Sequence, residues 1–308
     1  MTADLGIYLP QVGLSYDQLL DRAQRCERLG FSGLWLFDHL YSPRQPEAPA
    51  LEGWTLATSL LAQTTTLRVG HMVLCTAFRH PAVLGRMAST LQVISGGRLE
   101  LGLGSGSYEQ EHHEAGLPWG SAAERSELLR ESLEIITRMF DSGPTTWSGR
   151  HHAIRDLPNL PLPASRPRIM LGGVGPRYTL PLVARFADVW NVPTYGIANR
   201  AESVETLERE CERIGRDPAT ITHSLQAVLA IAPDENHLAT VRASAERRYG
   251  TAGFGLADAG LIGTPEQVVD RLGTLIDEGW TEFAFFLHDR GKAETLHLIA
   301  EEVMPHLS

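Results

Sequence analysis

The segment GLGSGSYEQEH, residues 102–112, decides the fold, because an apolar run breaks there abruptly into small and polar residues. The segments LFDHL (residues 36–40) and IMLGGVGPRYT (residues 169–179) break in the same way. This pattern is typical of a buried parallel strand whose C-terminal end opens into a ligand site. In a barrel of alternating strands and helices, active sites lie at those strand ends. We therefore expect the three segments to converge on one pocket.

The same alternation extends along the whole chain. The predicted strands cover residues 4–9, 33–37, 67–75, 99–103, 168–171, 188–192, 221–231 and 282–287. A helical pattern follows nearly every strand, and glycine or proline separates the elements. Eight such units predict an α/β fold of the closed parallel type, a (β/α)8 TIM barrel. An open doubly wound sheet would also bury its strands, but the number of units favours the barrel.

The simplest domain organisation is one barrel domain over residues 1–308 with two insertions, since no repeat or linker interrupts the chain. The first insertion, at about residues 142–168, contains TWSGRHH and LPNLPLPASRP, which predict a short hairpin and an extended loop. The second, at about residues 251–262, is rich in glycine, and we expect it to be mobile.

Composition excludes several functional classes. The net charge of −10 argues against a nucleic-acid partner, which would select a basic face. The apolar runs are too short to cross a membrane, and the first residues lack a signal-peptide pattern. Cys26, Cys75 and Cys211 are scattered, as expected of reduced thiols in a cytoplasmic protein. We expect a cytoplasmic protein that acts on a small molecule.

Two polar neighbours follow the second predicted strand. A histidine at a strand mouth can exchange a proton near neutral pH, which makes His39 a candidate acid–base residue beside Asp38. Strand alternation would direct one of the two side chains into the barrel and the other toward the helices. The alternative is a structural histidine bonded to the backbone, and the glycine-rich segments at neighbouring strand ends favour the functional role.

Two glycine-rich turns complete the predicted pocket. The turn containing Ser105 and Gly106 would let a planar ligand approach the backbone, although a loop that simply needs positive φ would have the same pattern. GGVGP followed by Arg177 lies at a helix start, where N–H groups, the helix dipole and the guanidinium would bind an anion. Pro176 suits the first helical turn. Neither a Walker nor a Rossmann motif is present.

Other chemistries are disfavoured. Residues 109–114 (EQEHHE) concentrate acids and histidines, but HExxH is missing, so a solvated loop and helix start is favoured over a metal site. His151 and His152 are expected at the surface. Without GxSxG a serine nucleophile is disfavoured. Cys75 is interpreted as a packed or ligand-facing thiol and not as a nucleophile.

Read together, FDHL, LEGWTLATSLLAQTTTLRVG, FRHPAVLGRMASTLQVISGGRLELGLGSG, WSGRHH and IMLGGVGP resemble the bacterial luciferase-like flavin and deazaflavin oxidoreductases. The resemblance covers about residues 4–305 and is greatest to the branch that uses the deazaflavin coenzyme F420. It implies a TIM barrel with insertions, usually a homodimer, that binds the cofactor ring at the C-terminal ends of the strands.

The resemblance also implies roles for individual residues. His39 would lie beside the reactive C5 of the deazaflavin, with Asp38 touching the ring, and a cis peptide at Met72–Val73 would lie behind it. The remaining cofactor contacts implied by the resemblance are Cys75, Ser105, Gly106, Gln110, Gly173, Val174, Gly175, Pro176, Arg177, Tyr178 and Thr179.

The chain also departs from the sugar-phosphate dehydrogenases of that branch. Ser107 replaces their acidic glutamate, and residues 41–44 (YSPR) lack their tryptophan. Their substrate-binding lysines are missing, since Lys292 is the only lysine. These departures argue against sugar-phosphate oxidation.

The sequence therefore predicts an F420-dependent oxidoreductase that transfers a hydride between the deazaflavin C5 and a small organic substrate. Reduction of a C=C, C=N or C=O bond is favoured over dehydrogenation, with His39 as proton donor. The alternatives are an FMN-dependent luciferase-like monooxygenase and a non-catalytic barrel that binds a flavin or phosphate ligand.

Overall fold

The computed structural model describes residues 3–141, 143–250, 256 and 260–307. Its strands are β1 (Asp4–Tyr8), β2 (Gly33–Leu36), β3 (Arg68–His71), β4 (Leu74–Cys75), β5 (Leu99–Gly104), β6 (Thr145–Ser148), β7 (Ala153–Leu157), β8 (Arg168–Gly172), β9 (Val189–Val192), β10 (Thr222–Ile231), β11 (Leu261–Gly263) and β12 (Glu282–Leu287). The parallel strands pair in the order β1, β2, β3, β5, β8, β9, β10 and β12. Pairing of β12 with β1 closes the barrel and confirms the predicted fold.

Helices cover the outside of the barrel. They are α1 (Tyr16–Arg28), α2 (Gly53–Ala62), α3 (Pro81–Ile94), α4 (Glu109–Glu114), α5 (Ala122–Met139), α6 (Thr179–Phe186), α7 (Arg200–Ile214), α8 (Glu235–Tyr249), α9 (Pro265–Asp277) and α10 (Ala293–Glu302). The barrel strands are almost entirely buried, because one face packs in the lumen and the other against the helices. A ligand could therefore reach the lumen only at the two ends of the barrel, here called the mouth (C-terminal ends of the strands) and the floor (N-terminal ends).

The third barrel strand is interrupted. β3 ends at His71, and β4 resumes two residues later, so residues 67–75 are two short strands and not the single predicted one. The peptide bond between Met72 and Val73 is cis, which confirms the prediction made for this position. The interruption places the backbone of these two residues at the mouth of the barrel.

The seventh barrel strand changes partners along its length. The first half of β10 pairs with β9, from Thr222 to Leu225. Its last residues, Leu229 to Ile231, pair instead with β11, a strand that sequence patterns did not predict. Of the predicted insertion at residues 251–262, residues 251–255 and 257–259 lie outside the described part of the chain.

The first insertion contains the predicted hairpin. β6 and β7 pair antiparallel, and the buried Glu131 of α5 fixes their turn by accepting backbone N–H groups from His151 at 3.0 Å and His152 at 3.1 Å. His151 is exposed as expected, but His152 is half-buried and contacts the ring of His80 edge to face, so the surface prediction was wrong for it. The hairpin is therefore fastened to α5 by a buried carboxylate.

Two arginines and two buried glutamates close the barrel floor. Arg68 lies 3.3 Å from Glu100 and 3.5 Å from Glu282, and Arg168 lies 3.3 Å and 3.0 Å from the same carboxylates. Burial raises the pKa of both carboxyl groups, that of Glu282 to about 7, although Arg68 acts in the opposite direction. This floor separates the lumen from solvent at the end opposite the mouth.

Among the described residues, no helix is both long and apolar enough to span a bilayer.

Candidate functional site

A cavity of about 710 Å³ opens at the C-terminal ends of the strands. The sequence-predicted site residues that line it are Asp38, His39, Met72, Val73, Cys75, Ser105, Gly106, Gly173, Val174, Gly175, Pro176 and Thr179. All three segments that break from apolar to polar contribute to this lining. The prediction that they converge is therefore confirmed.

The Asp38 carboxylate is fixed from two sides. Arg79 binds it in a bidentate pair, at 2.7 Å and 2.8 Å, and the Cys75 backbone N–H donates to Oδ2 at 2.8 Å. Asp38 is buried, so a guanidinium with two parallel N–H donors is well suited to compensate its charge. Arg79 also binds Glu52 at 2.6 Å, and Glu52 caps α2. The carboxylate is thereby held in a defined orientation at the edge of the cavity.

His39 is held by a buried acid. Its Nδ1 lies 2.8 Å from Oε1 of Glu111, whose other oxygen accepts the Leu40 N–H at 3.1 Å. An ionised carboxylate only accepts, so Nδ1 carries the shared hydrogen and Nε2 is the nitrogen left for a ligand. His39 keeps a quarter of its side-chain surface exposed at the cavity, whereas Glu111 is buried. This is the arrangement of an acid–base histidine with an orienting carboxylate.

Two expectations about these residues need correction. β2 ends at Leu36, so strand alternation does not apply to Asp38 and His39, and both line the same cavity. Residues 109–114, predicted as a solvated loop and helix start, form the helix α4, but it is not solvated throughout because Glu111 and His112 are buried. The polar side chains on the inward face of this helix gave no sign of burial.

The glycine-rich turns form a backbone wall. Gly106 has φ of 83°, and a Cβ there would lie 3.0 Å from the Cys75 sulfur. Gly173 has φ of 121°, and a Cβ there would approach Thr179 to 3.3 Å. Both positions thus need glycine for conformation and for space. A flat ligand can therefore approach the backbone of both turns.

Cys75 is a cavity-facing thiol. Its sulfur lies 3.5 Å from Nε2 of His112, whose Nδ1 lies 3.0 Å from the Tyr108 carbonyl oxygen. Burial raises the pKa of Cys75 to about 12, so the group remains a thiol at neutral pH. A packed, cavity-facing thiol fits the interpretation of Cys75 made from the sequence, and a contact with a ligand stays a prediction.

Three predicted cofactor residues, Gln110, Arg177 and Tyr178, lie outside the cavity lining. Gln110 is exposed and bonds to Tyr108 and Glu114. The Arg177 guanidinium is exposed and lies 5.1 Å from the ring centroid of Tyr178. α6 begins at Thr179, so Pro176 lies in the turn before the helix and not in its first turn. A role for these residues toward a ligand stays a prediction.

Sequence reasoning missed several residues of the site. Arg79 and Glu111 orient the predicted pair, and Asn191 and Gln226 line the cavity from within the barrel. Gln226 donates to the Met72 sulfur at 3.3 Å. Single polar residues inside otherwise apolar strands, as in VWNV and SLQAVLA, are the signal that could have revealed the last two.

A family model described as luciferase-like monooxygenase matches residues 4–282. The chain belongs to this family. The match ends at the first residue of the eighth barrel strand. It includes every residue that lines the cavity except Phe286.

This luciferase-like protein is similar in sequence to two curated F420-dependent dehydrogenases. The F420-dependent hydroxymycolic acid dehydrogenase of Mycobacterium tuberculosis is 27% identical over 232 residues, which is 75% of this chain and 64% of the relative. The F420-dependent glucose-6-phosphate dehydrogenase of Microbacterium testaceum is 25% identical over 318 residues, or 94% and 93% of the two chains.

Solved structures confirm the luciferase-like barrel. An F420-dependent secondary alcohol dehydrogenase in complex with an F420–acetone adduct aligns over 100% of both chains, with a TM-score of 0.82 and 17% identity. The long-chain alkane monooxygenase LadA aligns over 100% of this chain and 91% of its own, with a TM-score of 0.82 and 16% identity. At these identities the likeness establishes the fold alone.

Proposed function

We propose that this protein is an F420-dependent oxidoreductase that transfers a hydride between C5 of the deazaflavin and a small organic substrate, acting as a reductase of a C=C, C=N or C=O bond. The observation that supports it most is the pair formed by His39 and Glu111 at the cavity that the glycine turns also line. The F420-dependent curated relatives support the choice of cofactor.

The cavity residues fit a flat, phosphate-bearing cofactor. The Met72–Val73 peptide would support one face of the ring, and Asp38 would face its edge. The turn at Gly173 and Gly175, where side chains would collide with Thr179, would hold the phosphate by backbone N–H groups. When bound, the reduced deazaflavin supplies a hydride.

His39 would supply the proton that accompanies this reduction. With Nδ1 committed to Glu111, Nε2 would donate its proton to the substrate atom that gains electron density. The Glu111 carboxylate would hold the His39 ring in this orientation. It would also stabilise the imidazolium form that His39 needs before it gives up the Nε2 proton. In the opposite direction, the same Nε2 would accept a proton from an alcohol.

Ser107 distinguishes this site from a sugar-phosphate dehydrogenase. It lines the cavity where those enzymes are expected to carry an acidic glutamate, and a hydroxyl cannot replace a carboxyl group as proton carrier near neutral pH. Asp38 is paired with Arg79 and Glu111 with His39, so His39 is the acid–base group that this edge of the cavity would present to a substrate.

A cofactor titration tests the proposal. We expect purified protein to bind F420 more tightly than FMN, and reduced F420 to be oxidised in the presence of an activated alkene, imine or ketone. Tighter binding of FMN with oxygen consumption would favour the monooxygenase instead. Cofactor binding without turnover of any substrate would favour a non-catalytic barrel.

We also propose a cytoplasmic homodimer. Val83 and Ile94 lie on one side of α3 and are 56% and 57% exposed, and Leu160 beside this helix is 69% exposed. Apolar patches of this kind often mark protein interfaces. Multi-angle light scattering should give a dimer, and Val83→Glu with Ile94→Glu should convert it to a monomer.

A further inference from the structure

A second, smaller cavity of about 140 Å³ lies at the mouth of the barrel, beside the ends of β1 and β12. Tyr8 and Phe286 line both cavities, and their rings contact edge to face with centroids 4.4 Å apart. The two cavities thus adjoin at these rings. A substrate that extends past the rings would have one end near His39 and the other in the smaller cavity.

Arginines concentrate around the smaller cavity. Arg44, Arg248 and Arg290 line it. In the described part of the chain neither Arg248 nor Arg290 takes part in a salt bridge, and the one hydrogen bond recorded for either side chain joins Arg248 Nε to the His288 carbonyl at 3.0 Å. Burial lowers the pKa of Arg290, and the neighbouring positive charges of Arg248 and Arg22 lower it further.

The acid that precedes Arg290 in the chain already has partners. Asp289 accepts the Gly291 N–H at 3.0 Å and the Thr295 hydroxyl at 2.7 Å at the start of α10. Its carboxylate therefore stabilises a helix terminus, while the two guanidinium groups keep donors available to an anion.

The position of this cluster separates it from the proposed cofactor phosphate. The glycine turn at residues 172–176 follows β8, the fifth barrel strand, whereas the arginines lie by the first and eighth strands. A cofactor phosphate bound at the turn would thus lie on the other side of the mouth. The arginines are left to recognise the substrate.

We propose that the smaller cavity is a substrate subsite that binds the carboxylate of a compact organic acid through Arg248 and Arg290. This inference rests on the proposed function, and it names the substrate class of that site. A carboxylate is favoured over a sugar phosphate because a cavity of about 140 Å³, partly walled by Ile7, Leu9, Val12 and Leu287, is too small for a sugar ring with its phosphate. The reducible bond of the substrate would then lie beyond Tyr8, near His39.

Ligand-observed NMR and calorimetry with benzoate, phenylphosphate and benzamide test this subsite. We expect benzoate to bind the wild-type protein in a saturable and salt-sensitive manner, phenylphosphate to bind more weakly, and benzamide weakest. Arg248→Gln with Arg290→Gln should weaken benzoate binding at least tenfold, because two charged hydrogen bonds are lost. Arg248→Lys should retain part of the affinity. Arg242→Gln, an exposed arginine on the same helix, is the matched control and should bind like wild type.

Melting temperatures of all variants establish that they are folded. The subsite is overturned if wild type binds neither anion, if benzamide binds as tightly as benzoate, if phenylphosphate binds more tightly than benzoate, or if the double variant retains wild-type affinity. Titration of the same preparations with F420 separates the two proposals. If the wild-type protein binds benzoate but not F420, the proposed cofactor is rejected. If it binds F420 but not benzoate, only the subsite is rejected.

Discussion

The Glu111 carboxylate lies 2.8 Å from the His39 imidazole, although 72 residues separate them in the chain. β2 and β5 bring them together: His39 follows the end of β2 at the barrel mouth, and Glu111 lies on α4, the helix that follows β5. A buried acid behind a half-exposed histidine fixes which ring nitrogen can meet a substrate.

Replacement of His39 should remove proton transfer. We expect His39→Ala to lower turnover of reduced F420 by roughly 10²–10⁴-fold, the usual contribution of a general acid or base. The F420 dissociation constant and the melting temperature should change little. The exposed His113→Ala on α4 serves as control and should retain wild-type turnover. Near-normal turnover of folded His39→Ala would leave the histidine a structural residue.

Glu111 should act as a positioning residue. In Glu111→Gln one amide nitrogen must face either the Leu40 N–H or the His39 Nδ1–H, so the ring loses its orientation. We expect turnover to fall by up to about 100-fold, as for a misplaced catalytic group. The ¹⁵N shifts of His39 should report a mixture of tautomers, which a purely structural role would not produce. Unchanged shifts and turnover would contradict this assignment.

Arg79 should contribute strongly to stability. Arg79→Met leaves Asp38 charged and buried, and loss of one partner of such a pair costs about 3–5 kcal/mol of the free energy of unfolding. Arg155→Met removes an exposed arginine and should cost less than about 0.5 kcal/mol. Chemical denaturation measures both. If the two variants lose the same free energy of unfolding, the pair between Arg79 and Asp38 does not contribute to stability.

The barrel floor should make stability depend on pH. The pKa of Glu282 is about 7 in the folded state, above its usual value near 4.5, so the folded state binds more protons between these values. The contribution of this group is therefore complete below pH about 4.5 and falls as pH rises through 7. The free energy of unfolding of Glu282→Gln should rise relative to wild type between pH 5 and pH 8, by up to about 3 kcal/mol. Parallel pH curves for the two proteins would argue against a raised pKa.

The barrel was predictable because its strands are continuous apolar segments separated by glycine and proline. The residues that end these strands, such as His39 and Ser105, were predictable for the same reason. Arg79 and Glu111 were not, since an arginine after a short turn and an acid in a polar helix resemble surface residues. Their burial depends on which loops meet at the mouth, a property of the closed barrel and not of any local pattern. β11 was missed because three residues carry no periodicity.

The double contact of Arg79 has an evolutionary consequence. One guanidinium holds the pocket acid Asp38 and the helix cap Glu52, so a change in the loop that follows β2 disturbs the site and the start of α2 together. Ser107 and Tyr195 also line the cavity, yet their side chains form no hydrogen bond within the described residues. Substitutions at these two positions should therefore disturb the mouth least as substrates change, whereas Asp38 and Glu52, which share Arg79, should change most slowly.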